Sequence, residues 1–357
     1  MRCGMRKRRE KTGSREAYLV GGFYEIRDTR YEPRTSNFWP LVLVLCLFYA
    51  QVCLAADVPG DTASASVPKQ RAPLFRFMME FGVPGVGPGQ FKNPSGISVS
   101  QSGDIYVADT DNDRVQRFSP RGVFLDQVGG FGRRDAQFNR PVGVAAGFGL
   151  EVYVADSRNR RLSIFTQGLR LAGIVGGEGA VRPAMELGFL GGVAVSRSGQ
   201  VYVTDAEGNQ VVKFTRFDRV DRGFGGIGYG GGELSRPAGL AVAEDGKVYV
   251  ADQENDRVVA FDAFGGLVAV FGEEDLKTPA GVAVAPHGIV VVADTGHHRV
   301  VFFDSRRYQV IGEMGQAGDG PMAFDGPKGV AVDLDGYLYV LDSGNGRVQK
   351  FQMRWPE

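Results

Sequence analysis

Metal chemistry is the first possibility to weigh in this chain of 357 residues, which carries three histidines, His287, His297 and His298. A zinc site on a protein scaffold needs about three such ligands converging on one point. His297 and His298 are consecutive, and the apolar run Ile289 to Ala293 separates them from His287. A strand between them puts His287 at the other end of the same element, so the three cannot share a metal, and a solvated pair is expected at His297 and His298. The three cysteines, Cys3, Cys46 and Cys53, all fall early. Disulfides, thiolate metal sites and covalent haem attachment are therefore excluded from the rest of the chain. Carboxylates are more suggestive. An aspartate closes a Tyr-Val-Ala-Asp-like string at Asp109, Asp156, Asp205, Asp252, Asp294 and Asp342. A ring of carboxylates can hold calcium, but the identical setting of all six argues for a repeated structural role, accepting backbone N–H groups in the following turn. An arginine follows five residues later at Arg114, Arg161, Arg257, Arg299 and Arg347, with Gln210 in the remaining copy. These too read as mainly structural, and no cofactor or metal is expected.

The elements that hold these residues repeat. The aspartates are spaced by 47, 49, 47, 42 and 48 residues. Thirteen residues before each stands Gly96, Gly143, Gly192, Gly239, Gly281 or Gly329, and nine after each stands Phe118, Phe165, Phe214, Phe261, Phe303 or Phe351. One supersecondary unit used six times is implied. Each unit spells three clear strands and a weaker fourth. A turn glycine (Gly103, Gly199, Gly246, Gly288, Gly336) sits between the first and second strands, where positive φ is expected. In the third strand the apolar positions six and nine residues past the aspartate, such as Val115 and Phe118, differ by three and so face opposite ways. Both faces of the sheet must be covered. The loops are too short for crossover helices and no 3.6-residue period appears. Small antiparallel sheets stacked radially satisfy the demand, which predicts an all-β, six-bladed β-propeller of four-stranded antiparallel blades over residues 73–357. The sixth unit stops after its third strand, while Phe75 to Gly82 reads as an orphan fourth strand. The N-terminal strand is therefore expected to close the ring.

Ahead of the repeats the composition changes. Residues 1–37 form a basic leader with ten Arg or Lys against five acids, and residues 38–56 are uncharged and strongly apolar around Leu41 to Phe48. That run predicts membrane targeting, as a cleaved signal peptide ending near Ala56 or as a retained anchor oriented by its basic flank. Residues 57–72, rich in Ala, Ser and Pro, read as a flexible linker. The propeller is then expected outside the cytoplasm, in the periplasm or at the cell surface, with its N-terminal segment interacting with the membrane. Past Ala56 the chain holds 31 basic residues against 36 acids, so it lacks the basic face that nucleic-acid binding needs.

The string from Pro94 to Phe118, with Gly96, Ile97, Tyr106, Val107, Ala108, Asp109, Asn112, Arg114 and Val115, resembles the NHL repeat. The resemblance implies the propeller fold. It leaves function open, because NHL domains serve as RNA-binding modules, protein-interaction platforms, extracytoplasmic sensors and, in the peptidyl-amidating lyases, zinc enzymes. A non-catalytic binding or scaffold role for a protein or anionic envelope polymer is expected here; the alternative is a metal-dependent lyase or hydrolase. The binding face is expected on the rim shared by the loops entering the first strands and those leaving the second. There the second blade carries Arg133, Arg134, Arg140, Arg158, Arg160 and Arg161, while the loop into the fifth carries Glu273, Glu274 and Asp275 against Lys277.

Overall fold

The computed structural model describes residues 73–177, 187–215, 220–226 and 231–355. The leader, the apolar segment, the linker and the three cysteines lie outside the described residues. Among the described residues, no helix is long and apolar enough to cross a membrane.

Six four-stranded antiparallel sheets make up the propeller. From axis to rim, blade 1 runs Gly96–Val99, Ile105–Asp109, Arg114–Phe118 and Phe124–Gly129. Blade 2 runs Pro141–Ala146, Glu151–Asp156, Arg161–Thr166 and Leu171–Gly176, and blade 3 runs Leu190–Val195, Val201–Asp205, Gln210–Phe214 and Val220–Phe224. Blade 4 comprises Pro237–Val242, Val248–Asp252, Arg257–Phe261 and Leu267–Phe271; blade 5 comprises Val282–Ala285, Ile289–Asp294, Arg299–Asp304 and Val310–Met314. Blade 6 takes Pro327–Val332, Tyr337–Asp342 and Arg347–Arg354 from the C-terminal part and its outer strand, Leu74–Phe81, from the N-terminal part. That last pairing runs antiparallel from Leu74 opposite Arg354 to Phe81 opposite Val348, so the ring closes as expected.

The two-sided burial read from the third strands has a direct counterpart in the core, which consists of six apolar layers, each between neighbouring blades. Val115 packs in the layer between blades 1 and 2, and Phe118 in that between blades 6 and 1. Val258 and Phe261 divide in the same way, as do Val300 and Phe303. Opposite each repeated Phe the ladder to the outer strand shifts register by a bulge, which twists the outer strand locally. Gly103, Gly199, Gly246, Gly288 and Gly336 all have positive φ, between 71° and 85°, as the turn requires.

The glycine thirteen residues before each aspartate has a different cause. These six form a ring at the axis where neighbouring innermost strands meet backbone to backbone. A Cβ on Gly239 would lie 2.5 Å from the carbonyl oxygen of Ala280 and 3.0 Å from Cα of Gly281, and one on Gly281 would lie 2.4 Å from the carbonyl oxygen of Lys328. Any side chain would force the blades apart. The tyrosines of the second strands are buried between blades, and desolvation pushes Tyr106 and Tyr153 up to about 12.

Candidate binding face

Six aspartates organise one end of the ring. Each accepts, through a side-chain oxygen, the backbone N–H of the residue 17 positions earlier: Lys92, Asn139, Gly188, Ser235, Lys277 and Asp325, at 2.6–3.0 Å. The expected donors were those of the following turn, and among the described residues only Asp205 bonds one, Gly208 N–H at 2.8 Å. The aspartate instead reaches back to the loop entering its own blade. In the other five blades the arginine five residues on donates Nε–H to the same carboxylate at 2.7–2.9 Å. Its Nη groups go on to carbonyls of that loop: Val86, Gly87 and Gln90 for Arg114, and Gly320 and Ala323 for Arg347. Each Asp–Arg pair is thus a latch tying the incoming loop to the second and third strands. Hydroxyls next to the aspartates fasten blade to blade, with Thr110 donating to the Pro141 carbonyl, Thr295 to that of Pro327 and Ser343 to that of Pro94.

The arginines expected to form one cluster on blade 2 divide into groups. Arg161 is buried, 7% exposed, and spends its guanidinium on Asp156 and the carbonyls of Arg133, Arg134 and Gln137, so it is a latch and not a docking residue. Arg140 pairs with Asp111 of blade 1 at 2.5 Å. Arg160 pairs with Glu207 of blade 3 at 2.9 Å and lies over the Phe189 ring. Arg133, Arg134 and Arg158 are exposed, the first two at the tip of the loop into blade 2. Across the ring, Glu273 pairs with Arg257 at 3.1 Å, while Glu274 and Asp275 are exposed.

At the centre of this face the ring opens into a funnel of about 670 Å³. Its wall contains an aliphatic residue from every blade, Ile97, Val144, Val193, Leu240, Val282 and Val330, and its mouth has Arg140, Arg158, Arg236, Lys328 and Glu207. The sequence reading missed Arg236 and Lys328. For Lys328 the signal was the departure from the repeat: where blade 6 has Lys328, the other blades have Ser95, Val142, Gly191, Ala238 and Ala280, whereas Arg236 stands where blade 2 has Arg140.

The histidines are placed apart. His297 shares a hydrogen bond with Asp294 at 2.9 Å, His298 Nδ1 accepts the Gly326 N–H, and His287 packs against Trp355 in a tilted contact with ring centroids 4.9 Å apart. Among the described residues, no three His, Cys, Asp or Glu side chains are grouped to hold a metal ion.

Comparison with known proteins agrees with this architecture. The NHL repeat matches six times, at residues 91–118, 138–165, 187–214, 234–261, 276–303 and 324–351. Protein brain tumor of Drosophila melanogaster is 40% identical over 83 residues, 22% of this chain and 8% of that protein. B-box type zinc finger protein ncl-1 of Caenorhabditis elegans is 40% identical over 75 residues, 20% of this chain and 9% of that protein. The aligned stretch is thus under a tenth of either relative. Among solved structures, a streptogramin B lyase superposes with a TM-score of 0.54 at 11% identity, covering 78% of this chain and 98% of that one. A protein of unknown function from Bacteroides thetaiotaomicron superposes at 0.59 and 16%, covering 80% and 77%. At such identities the likeness is one of fold. Six matched repeats on six closed blades leave one assignment: the chain is a six-bladed β-propeller of the NHL-repeat family.

Proposed function

We propose that this propeller is a non-catalytic binding module whose blade 2 rim docks an acidic protein surface. One comparison within the molecule carries the reading. The loops entering blades 1, 2 and 6 share one backbone plan, with matching hydrogen bonds Gly85 N–H to Phe91, Gly132 N–H to Phe138 and Gly318 N–H to Phe324 carbonyls. Blade 1 builds that loop with Val86 and Gly87, and blade 6 with Asp319 and Gly320. Blade 2 alone of the three places Arg133 and Arg134 there, beside Phe131, which is 74% exposed. The shared loop plan forms without arginine in blades 1 and 6, and guanidinium groups suit bidentate carboxylate contacts. The non-catalytic part of the reading is supported by the separate hydrogen bonds and ring contact of the three histidines.

Poly-glutamate is a suitable probe. Its binding should weaken as salt rises, because exposed charges are screened over about 10 Å at 0.1 M. Replacing Arg133, Arg134, Arg158 and Arg160 by Glu should weaken it at least tenfold, whereas Glu273→Lys with Glu274→Lys should not. Equal binding by the arginine-reversed protein would reduce the cluster to a solvated face. An anionic polysaccharide in parallel tests an envelope polymer as the partner, and stoichiometric zinc or calcium in the purified protein would favour the lyase or hydrolase alternative.

Export to the membrane or beyond belongs to the same proposal and rests on the apolar segment 38–56 behind its basic flank. A phosphatase reporter fused after Gln70 should be active only where that segment crosses the membrane, and a cytoplasmic native protein would refute it.

A further inference from the structure

Lys328 occupies an unusual position. It lies in the innermost strand of blade 6 and lines the axial funnel, and its ammonium donates to the neutral side-chain oxygen of Asn93. The funnel's other charges are largely matched: Arg140 by Asp111, Arg236 by Glu254 at 3.5 Å, and Glu207 by Arg160. Among the described residues, no carboxylate is in ion-pair contact with Lys328 or with Arg158. Burial lowers the Lys328 pKa, against the opposing pull of Asp111. A half-buried ammonium whose nearest opposing charge, Asp111, is already paired with Arg140 is a cost to the fold.

The repeat supplies an internal control for that cost. Ser95, Val142, Gly191, Ala238 and Ala280 fill the same position in the other five blades and support the same strand. Blade packing therefore has no use for a cation there. Beneath it, six aliphatic side chains supply an apolar part of the wall, beside the polar backbone of the glycine ring. The funnel's volume of about 670 Å³ also falls within the range, roughly 300–1,000 Å³, of pockets that enclose small ligands.

We propose that the axial funnel is a binding site for a carboxylate borne on an apolar body, with Lys328 meeting the carboxylate and the aliphatic wall covering the body. A free organic acid and the C-terminal residue of a peptide share this chemistry. The site is distinct from the rim reading, because Lys328 is remote in sequence from the Arg133–Arg134 loop and changing it leaves that loop intact.

Calorimetric titration of the purified full-length chain with octanoate and with octanamide tests the head group. A peptide ending in a free-acid phenylalanine, compared with its C-terminal amide, tests the second source. At least one acid should bind with an affinity ten or more times that of its amide. Lys328→Ala, which installs the residue of blades 4 and 5, should remove that preference, leave amide binding unchanged and give a melting temperature no lower than that of the original, and Lys328→Arg should keep the preference. Apolar surface elsewhere is common to all these proteins, so the difference between them reads the funnel alone. Equal binding of acid and amide, an acid preference that survives in Lys328→Ala, or no binding of either acid at millimolar concentration would overturn the proposal. Loss of poly-glutamate binding on arginine reversal is a separate result and bears only on the rim.

Discussion

At the scale of single residues, the latches show how a carboxylate at 0% exposure is tolerated five times in one molecule. Asp342 accepts the Asp325 N–H, the Asn345 amide and Arg347 Nε–H, so its lone pairs and its charge are both matched. Removing one partner of such a pair leaves an uncompensated buried charge. Arg347→Met should therefore cost about 3–5 kcal/mol in equilibrium unfolding. Blade 3 provides the contrast, because Asp205 is met there by two backbone N–H groups, from Gly188 and Gly208, and Gln210 makes no bond to it. Gln210→Ala should cost under about 1 kcal/mol, the usual scale for a surface change. Similar losses for the two variants, read from denaturant midpoints, would mean that the arginine is not what balances the buried carboxylate.

Among the elements, the one that enters blade 6 from the far end of the sequence carries the most non-local work. Leu74–Phe81 pairs with Arg347–Arg354, and its Phe75 and Phe77 pack on the layer between blades 5 and 6. Phe75 lies against Phe302 with centroids 4.7 Å apart. Deleting residues 73–82 would bare the edge of a third strand and uncover that layer, so the melting temperature should fall strongly. An unchanged value would show that the ring does not depend on this closure. This strand was legible in the sequence because its Phe-Gly ending matches Phe224-Gly225 and Phe271-Gly272. The third strands were legible for a simpler reason, the period-two rule that sends Val115 and Phe118 to opposite faces. The first strands were legible only in part. Their glycines stood out as repeats, but the reason for them is the backbone of the next blade, a contact between residues such as Gly239 and Gly281 that no local pattern encodes. The same limit misplaced the aspartate donors, which lie 17 residues back. It also grouped Arg161 with the rim, because a count of charges does not say which way a guanidinium points.

For the whole molecule, the remaining question is how a ring of six similar blades holds together as one unit. Two kinds of joint are present. Between blades, side chains meet across apolar layers with only isolated hydrogen bonds, such as Gly239 N–H to the Ala280 carbonyl, and no continuous ladder, whereas within a blade the strands are laddered backbone to backbone. A cut in the chain should therefore matter according to the joint it falls on. A protease site inserted at Phe264, in the exposed turn of blade 4, would leave Leu267–Phe271 on one fragment still laddered to Arg257–Phe261 on the other, with Val258 opposite Phe271 and Phe261 opposite Leu267. The blade 6 closure already joins the same two fragments by a second ladder. Cutting instead beside Glu274, in the loop between blades 4 and 5, leaves one ladder at blade 6 and a side-chain layer at the cut. Both nicked proteins should stay associated in native buffer. Only the first should unfold near the denaturant midpoint of the intact chain; the second should dissociate at a clearly lower one, and more readily on dilution. If the two midpoints coincide, the apolar layers alone hold neighbouring blades as firmly as shared strands do, and the strand exchange in blade 6 is a consequence of where the repeats begin instead of the device that keeps the ring shut.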